Sequence, residues 1–275
     1  MTRLAEQDIC YIVERLERYD KILRDKTGGG LMDIAAFAVD AAAADLRAAQ
    51  AKQKIGIVPV TAGQGIIGGF SDTVRGILAF LGAQVFVTRA TDVAGLAEAA
   101  ANGATAVFIA DDRTCSLIDL RTGQVADNSL STGKGFAAAL AMKAGSLQGK
   151  SVGLLGAGPV GYGAAQALTA RGAHVYVYDC QAEPLRKFSP MEGVEVVDSA
   201  AAALAQSDYY FEATTASATI QVSDFCATTL VAAPGVPLGV TAEAMKCYGS
   251  RVISDTLEIG VATMLAVLLK GKPTT

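Results

Sequence analysis

Histidine is almost missing from this chain: His174 is the only one in 275 residues. That scarcity excludes a His-based catalytic triad and a multi-histidine metal site, since both need imidazoles as base or ligand. His174 itself sits in an HVYVYD run and reads as an ordinary strand residue. Cysteine is thin as well. Cys10, Cys115, Cys180, Cys226 and Cys247 are odd in number, far apart and without a CxxC pair, so they read as reduced, mostly structural thiols. There is no basic excess: 23 Lys and Arg against 27 Asp and Glu leave a net charge of -4, which supplies no field for a nucleic-acid backbone. Gly and charge interrupt every hydrophobic stretch before it reaches the length of a membrane span. The start MTRLAEQDIC lacks the apolar core of a signal peptide. A cytoplasmic protein with no nucleic-acid or membrane partner and no metal is the expectation.

What is present is apolar bulk, at 51% of positions, enough for one large core or two smaller ones. Ala5, Ile9, Ile12, Leu16, Tyr19 and Leu23 recur at helical spacing with charges between them, and Gly28-Gly29-Gly30 follows. This predicts an amphipathic helix on a glycine hinge, suited to act as a lid. An alanine-rich run from Leu31 to about Ala51 predicts a second helix. The pattern then changes to short apolar strands, Ile55 to Val60, Val85 to Thr88 and Ala106 to Ala110, separated by helical stretches, the rhythm of a parallel βαβαβ sheet. Ser116 to Leu120 and the Thr122-Gly123 turn add a hairpin at its edge. A helix to Ala144 leads through Gly145 and Gly149 into a second α/β unit. The expected division is 1–148 for the first domain and 149–275 for the second, including a C-terminal helix from about Gly260 to Lys270 that is also placed to return to the first domain.

The second unit opens with strand Ser151 to Leu155, then Gly156-Ala157-Gly158-Pro159-Val160-Gly161, a helix to Ala170, and strand His174 to Tyr178 ending in Asp179. In a dinucleotide fingerprint the first glycine allows the tight turn, the second admits the pyrophosphate, and the third lets helix pack on strand. A bare GxGxxG is weak evidence. Here the strand, helix, second strand and an acidic residue 18 positions after Gly161 all agree. Asp179 is suited to accept from the ribose hydroxyls and repel a 2′-phosphate, and Cys180 rather than Arg follows it, so NAD is expected over NADP. Two further turns, Ala213-Thr214-Thr215 and Pro234-Gly235-Val236, end predicted strands and are expected to line the nicotinamide and ribose end. Read by position alone, they are also compatible with ordinary loops.

In the first unit, the loop running from Pro59 through Ala62-Gly63-Gln64-Gly65 to Gly68-Gly69 joins a strand end to a helix and exposes backbone amides suited to an anion. Asp111-Asp112-Arg113 ends the strand Ala106 to Ala110. Adjacent carboxylates at a strand end point different ways, so one is expected to bind a cationic group, with a solvated turn as the alternative. Asn128 follows the edge hairpin and is the third polar candidate.

The runs IVPVTAGQGIIGGFS and ADDRTCSLIDLRTGQVADN, with the later GAGPVG, EATT and APGVP segments, resemble the family of pyrrolysine biosynthesis dehydrogenases that act on a 3-methylornithyl-lysine isopeptide. The likeness runs from Leu4 to the GVATML run, and the first two segments, which are not general Rossmann features, carry it. It implies an α/β fold with a C-terminal Rossmann NAD domain and an N-terminal half-Rossmann-like domain with a helical N-terminus. It implies a homodimer in which the first helix closes over the small-molecule substrate, with contacts from Leu4, Ala62, Gln64, Asp111, Asp112 and Asn128. Archaeal members carry Ser and Asn where this chain has Ala62 and Gln64, so one side-chain hydrogen bond is missing. The implied reaction is oxidation of a terminal amine, with Asp111 in recognition and proton relay. Two other readings stay open: an NAD-dependent amino or imino acid dehydrogenase of the same two-lobed layout, and a non-catalytic NAD-binding sensor.

Overall fold

The computed structural model describes residues 3–271. The first described element is a 3-10 turn at Glu6–Asp8, which is followed by α1 (Ile12–Thr27). The helix expected from Ala5 onward is therefore interrupted. Ile9, Ile12, Leu16, Tyr19 and Leu23 are buried while Ala5 is exposed, so from Ile9 on this is a packed element. The glycine breaker is also tied down, because the Thr27 hydroxyl donates to the Leu23 carbonyl at 2.9 Å and the Leu31 amide donates to Asp20 at 2.7 Å. The expected alanine-rich helix is two, α2 (Leu31–Ala38) and α3 (Ala43–Gln50). Between them Asp40 adopts φ 51°, a left-handed turn that Asp tolerates better than most residues, and Lys270 donates to the Val39 carbonyl freed there.

The sheet of this unit is built from β1 (Lys54–Val58), α4 (Phe70–Phe80), β2 (Gln84–Val87), α5 (Asp92–Ala101), β3 (Ala106–Ala110), β4 (Cys115–Asp119) and β5 (Val125–Asp127). Strand order is β2-β1-β3-β4-β5. β1 runs parallel to β2 and β3, and β4 is antiparallel to both β3 and β5. β1 stops at Val58 because Pro59 has no amide to continue the ladder. Val58, Ala99 and Val107 are buried together where α5 packs on the parallel half. The C-terminal ends of β1, β3 and β5 therefore lie at one sheet edge, and every candidate substrate residue on a loop of this unit follows one of them.

After α6 (Asn128–Ala144) the second sheet is assembled from β6 (Ser151–Leu155), α7 (Pro159–Thr169), β7 (His174–Tyr178), α8 (Ala182–Leu185), β8 (Val194–Val196), α9 (Ala200–Ala205), β9 (Tyr209–Glu212), β10 (Val231–Ala232), α10 (Ala242–Tyr248) and β11 (Val252–Ile253). All six strands are parallel in the order β11-β10-β9-β6-β7-β8. This is the doubly wound dinucleotide-binding order, whose direction reverses between β6 and β9. Its core includes Leu155, Tyr210, Val231, Val240 and Val252.

The last described element is α11 (Glu258–Lys270), and here the division differs from the expected one at 148. One compact unit comprises residues up to Lys21, Leu31–Ser131 and those from Leu257 on; the other comprises Ile22–Gly30 and Thr132–Thr256. The reason for the first change is that α11 is buried at every position from Glu258 to Ala266. A helix apolar all round must be enclosed, and it is enclosed by α2, α3, α4, β4 and β5 of the first unit. It is pinned there by Arg15 on the buried Glu258 at 2.8 Å and by Gln124 donating to the Val267 carbonyl at 2.7 Å. The other boundary falls inside α6, a continuous helix, rather than at Gly145 and Gly149.

Candidate active site

The fingerprint closes on itself through its glycines. Gly156 has φ 100°, and a Cβ there would stand 2.6 Å from the Ala213 carbonyl oxygen, so a side chain is excluded twice over. A Cβ on Gly161 would stand 2.0 Å from the Gly156 oxygen, which sets the close passage of α7 over β6. Gly158 differs, since a Cβ there meets nothing within 4 Å. That is the open approach a pyrophosphate needs. Pro159 occupies the first turn of α7, where a missing amide costs nothing, and no side chain caps the helix start, so the amides from Val160 onward keep the positive end of the helix available. Asp179 follows β7 and accepts from the Ala157 amide at 2.7 Å and the Gln181 amide at 2.9 Å. The fold thus brings the acidic residue onto the glycine turn, with Cys180 exposed beside it.

Ala213, Thr214 and Thr215 follow β9, and Pro234, Gly235 and Val236 follow the adjacent β10, so both turns stand at neighbouring strand ends. The Ala213 amide donates to the Leu155 carbonyl at 2.8 Å, seating the first turn against β6. Two residues of this region escaped the sequence reading. Gly133 on α6 permits backbone-to-backbone packing on α7, where its Cβ would stand 2.2 Å from the Val160 oxygen and 2.5 Å from the Ala164 nitrogen. Glu212, the last residue of β9, is fully buried beneath both turns. A charge in an otherwise apolar strand, YYFE, was the signal for it. These groups, namely open helix amides, an unobstructed middle glycine and a carboxylate at the end of β7 beside the glycine turn, fit a dinucleotide.

The first unit presents a polar cluster at its own sheet edge. Gly63, Gly65 and Gly69 all take positive φ, which lets the loop after β1 fold tightly. Asp112 organises it. One carboxylate oxygen accepts the Gln64 amide at 2.6 Å, the other accepts Arg3, and a Cβ on Gly63 would collide with the carboxylate at 2.1 Å. Arg3 also donates to the Gly65 carbonyl at 2.9 Å, and the Glu6 carboxylate lies against Gly68, 2.6 Å from where a Cβ would stand. The N-terminal segment carrying the half-buried Leu4 therefore runs along the glycine loop. Arg3 was not among the sequence candidates, because one cation in a charged helix-like stretch gives no local signal.

Asp111 behaves differently. It is exposed, and its Oδ1 accepts the Arg113 and Thr114 amides, each at 2.7 Å, closing the β3–β4 turn. Those two hydrogen bonds hold its carboxyl below the usual range, leaving it ionised and a weak base. Asn128 opens α6 at the end of β5, on the same sheet edge as Asp111 but two strands away. Ala62 and Gln64 are exposed in the loop. Asp92 is a further residue the sequence did not mark. Held at φ 55°, it accepts the Thr61 amide at 2.8 Å and hydroxyl at 2.6 Å, fastening the glycine loop to the start of α5.

Residues 8–126 match the family described as pyrrolysine biosynthesis protein PylD, N-terminal domain, and residues 116–219 match the D-isomer specific 2-hydroxyacid dehydrogenase, NAD binding domain. The chain is 34% identical over 98% of its length to the whole of a pyrrolysine synthase from Methanosarcina acetivorans. It is 33% identical, over 98% of both chains, to another from Methanosarcina barkeri. In fold it is similar to shikimate dehydrogenase from Aquifex aeolicus, with 14% identity, coverage of 79% and 91% of the two chains and TM-score 0.54. Quinate dehydrogenase from Corynebacterium glutamicum, solved in complex with NAD, gives 16% identity, 78% and 93% coverage and TM-score 0.52. The sheet order, the complete fingerprint and the matched NAD domain identify an NAD-dependent dehydrogenase. With a third of its residues identical over nearly the full length of both chains, it belongs to the pyrrolysine synthase (PylD) family.

Proposed function

We propose that this enzyme oxidises the terminal amine of N6-(3-methyl-D-ornithyl)-L-lysine and so forms pyrrolysine. The observation that carries the reading is similarity over nearly the whole chain to two proteins named pyrrolysine synthase. NAD, held by Gly156, Gly158, Pro159, Val160, Gly161, Asp179 and the turns at 213–215 and 234–236, supplies the hydride acceptor. The substrate carbon bearing the amine loses hydride and the amine loses a proton, giving an imine. Water adds and ammonia leaves, giving an aldehyde, which condenses with the other amine of the ornithyl part, releases water and closes the pyrroline ring.

Hydride loss requires a neutral amine, because only its lone pair stabilises the developing cation. The carboxylates have a matching division of labour. Asp112, half-buried and drawn into the glycine loop, recognises the cationic substrate together with the loop around Ala62 and Gln64. Asp111, exposed and ionised, passes the released proton to water and is too weak a base to do more. Leu4 covers the substrate from the N-terminal segment, and Asn128 supplies a hydrogen bond from the β5 edge. Where relatives carry Ser, Ala62 offers only its backbone, so the Gln64 segment takes over that contact. We further place the enzyme in the cytoplasm as a homodimer.

Steady-state NAD reduction with the isopeptide, free ornithine and free lysine tests the assignment. Turnover of the isopeptide alone, with one ammonia released per NAD reduced, is expected. Preference for a free amino acid would make this an amino acid dehydrogenase of the same layout, and NAD binding without turnover of any amine would make it a sensor.

A further inference from the structure

Glu212 has no part in the chemistry above, yet it is the best-enclosed carboxyl of the second unit. Its side chain is fully buried at the C-terminal end of β9. Oε1 accepts both the amide of Thr214, at 3.0 Å, and the Thr214 hydroxyl. Oε2 is buried and accepts no hydrogen bond among the described residues. The space around it is defined by glycines of the other turn. A Cβ on Gly239 would stand 2.2 Å from the Glu212 carboxyl carbon, and one on Gly235 would stand 2.6 Å from Oε2. The same point at Gly235 is 2.8 Å from the Thr214 carbonyl oxygen and 3.5 Å from that of Pro237. Oε1 thus holds two donors, while Oε2 is buried without a hydrogen bond, with the Thr219 hydroxyl and the Gly239 backbone as its uncharged neighbours and no cation beside it among the described residues. An ionised carboxylate would carry its charge into this enclosed site. A carboxylic acid would not, and it accepts at Oε1 while keeping a donor at Oε2.

We propose that Glu212 is a positioning residue for hydride transfer, tying the turn 213–215 to the turn 234–239 in its acid form and so fixing the nicotinamide end of the site. The inference rests on the assignment of those two turns to the cofactor. Burial pushes the carboxyl up from its usual range, in agreement with the acid form. Hydrogen bonds from Thr214, Thr219 and Gly239 act in the opposite direction, but burial outweighs them and no neighbouring cation among the described residues adds to them. Because the folded value is raised, the clamp is intact at low pH and is lost as pH rises through it. Glutamine has the same shape and the same acceptor-plus-donor pair. It should replace Glu212 without that pH dependence, whereas alanine leaves the Thr214 amide and hydroxyl without their acceptor and empties the space between the two turns.

The test is calorimetry of the full-length enzyme with NAD and with ADP-ribose, which lacks the nicotinamide. Glu212→Ala should weaken NAD by about tenfold and ADP-ribose by no more than about twofold. Glu212→Gln should bind NAD as the wild type does at low pH, and keep that affinity as pH rises, where the wild type loses it. Equal weakening of both ligands by Glu212→Ala would mean general structural damage and overturn the proposal, as would NAD affinities with the same pH profile in wild type and Glu212→Gln. The second comparison decides alone if the alanine variant does not fold. Failure of the wild type to bind either ligand would instead overturn the cofactor assignment itself.

Discussion

The two units prepare for their ligands in opposite ways. In the second unit the amides proposed for the pyrophosphate are open, since nothing occupies the Cβ space of Gly158 and no side chain caps α7, whereas Asp179 is already engaged by the Ala157 and Gln181 amides. In the first unit the groups are carboxylates, and the chain itself already uses them, Arg3 and the Gln64 amide on Asp112 and the turn amides on Asp111. Amides at a helix start lose little by waiting in water. A half-buried carboxylate without a partner is costly, so an internal cation and internal amides hold it until something replaces them. On the proposed reading, substrate recognition in the first unit is an exchange of partners, whereas pyrophosphate binding at the start of α7 is an addition.

The largest effect that can break this contrast is on the glycine turn. Gly161→Ala forces a Cβ into the Gly156 carbonyl, which should destabilise the second unit by about 1–3 kcal/mol and abolish detectable NAD binding. Thermal unfolding together with NAD titration checks both, and unimpaired NAD affinity would show that the close packing is dispensable. Next comes cofactor choice. Asp179→Ser combined with Cys180→Arg should move the preference from NAD toward NADP by roughly a hundredfold in kcat/KM, because a charge-assisted hydrogen bond to ribose is lost and a phosphate partner gained.

The paired carboxylates sharpen the comparison from the other side. Asp112→Asn removes the charge that Arg3 and the loop share, and should raise the substrate KM by about tenfold with NAD affinity unchanged. Asp111→Asn keeps one acceptor for the turn and should raise it only about threefold, since the group is exposed and screened. If the order were reversed, the cation-binding role would pass to Asp111. Arg3→Ala should mimic part of the Asp112 change by loosening the N-terminal segment. The smallest effect concerns two thiols. Cys226 is exposed and lowered to about 6 by the Thr228 and Thr229 hydroxyls, whereas burial pushes Cys115 up to about 12. Alkylation near neutral pH should label Cys226 first, spare Cys115 and leave NAD affinity unchanged, as read by peptide mass spectrometry and titration.

How much of this was legible in the sequence follows the same divide. The glycine turn, the strands flanking it and Asp179 were readable because their spacing is local, and the first sheet was readable because its apolar runs are short and regular. β8 was not, since Val194-Glu195-Val196 is a three-residue edge strand with no apolar run. The single helix expected over 31–51 broke where Lys270, more than two hundred residues away, takes a carbonyl. The place of α11 in the first unit, Arg3 on Asp112 and Gly133 against α7 are likewise contacts at long sequence separation, which no local pattern encodes. Asp111 and Asp112 were found as a pair, but which of them turns outward depends on the β3–β4 turn and the glycine loop closing around them.

The measurement that tests the account most directly uses isopeptide substrate carrying deuterium on the carbon next to its terminal amine, with the full-length enzyme and NAD. Deuterium should appear in the reduced nicotinamide, one ammonia should be released for each NAD reduced, and the pyrroline product should form in the same amount. Retention of all the deuterium in the product, or its loss to solvent, would contradict oxidation at that carbon and with it the proposed function.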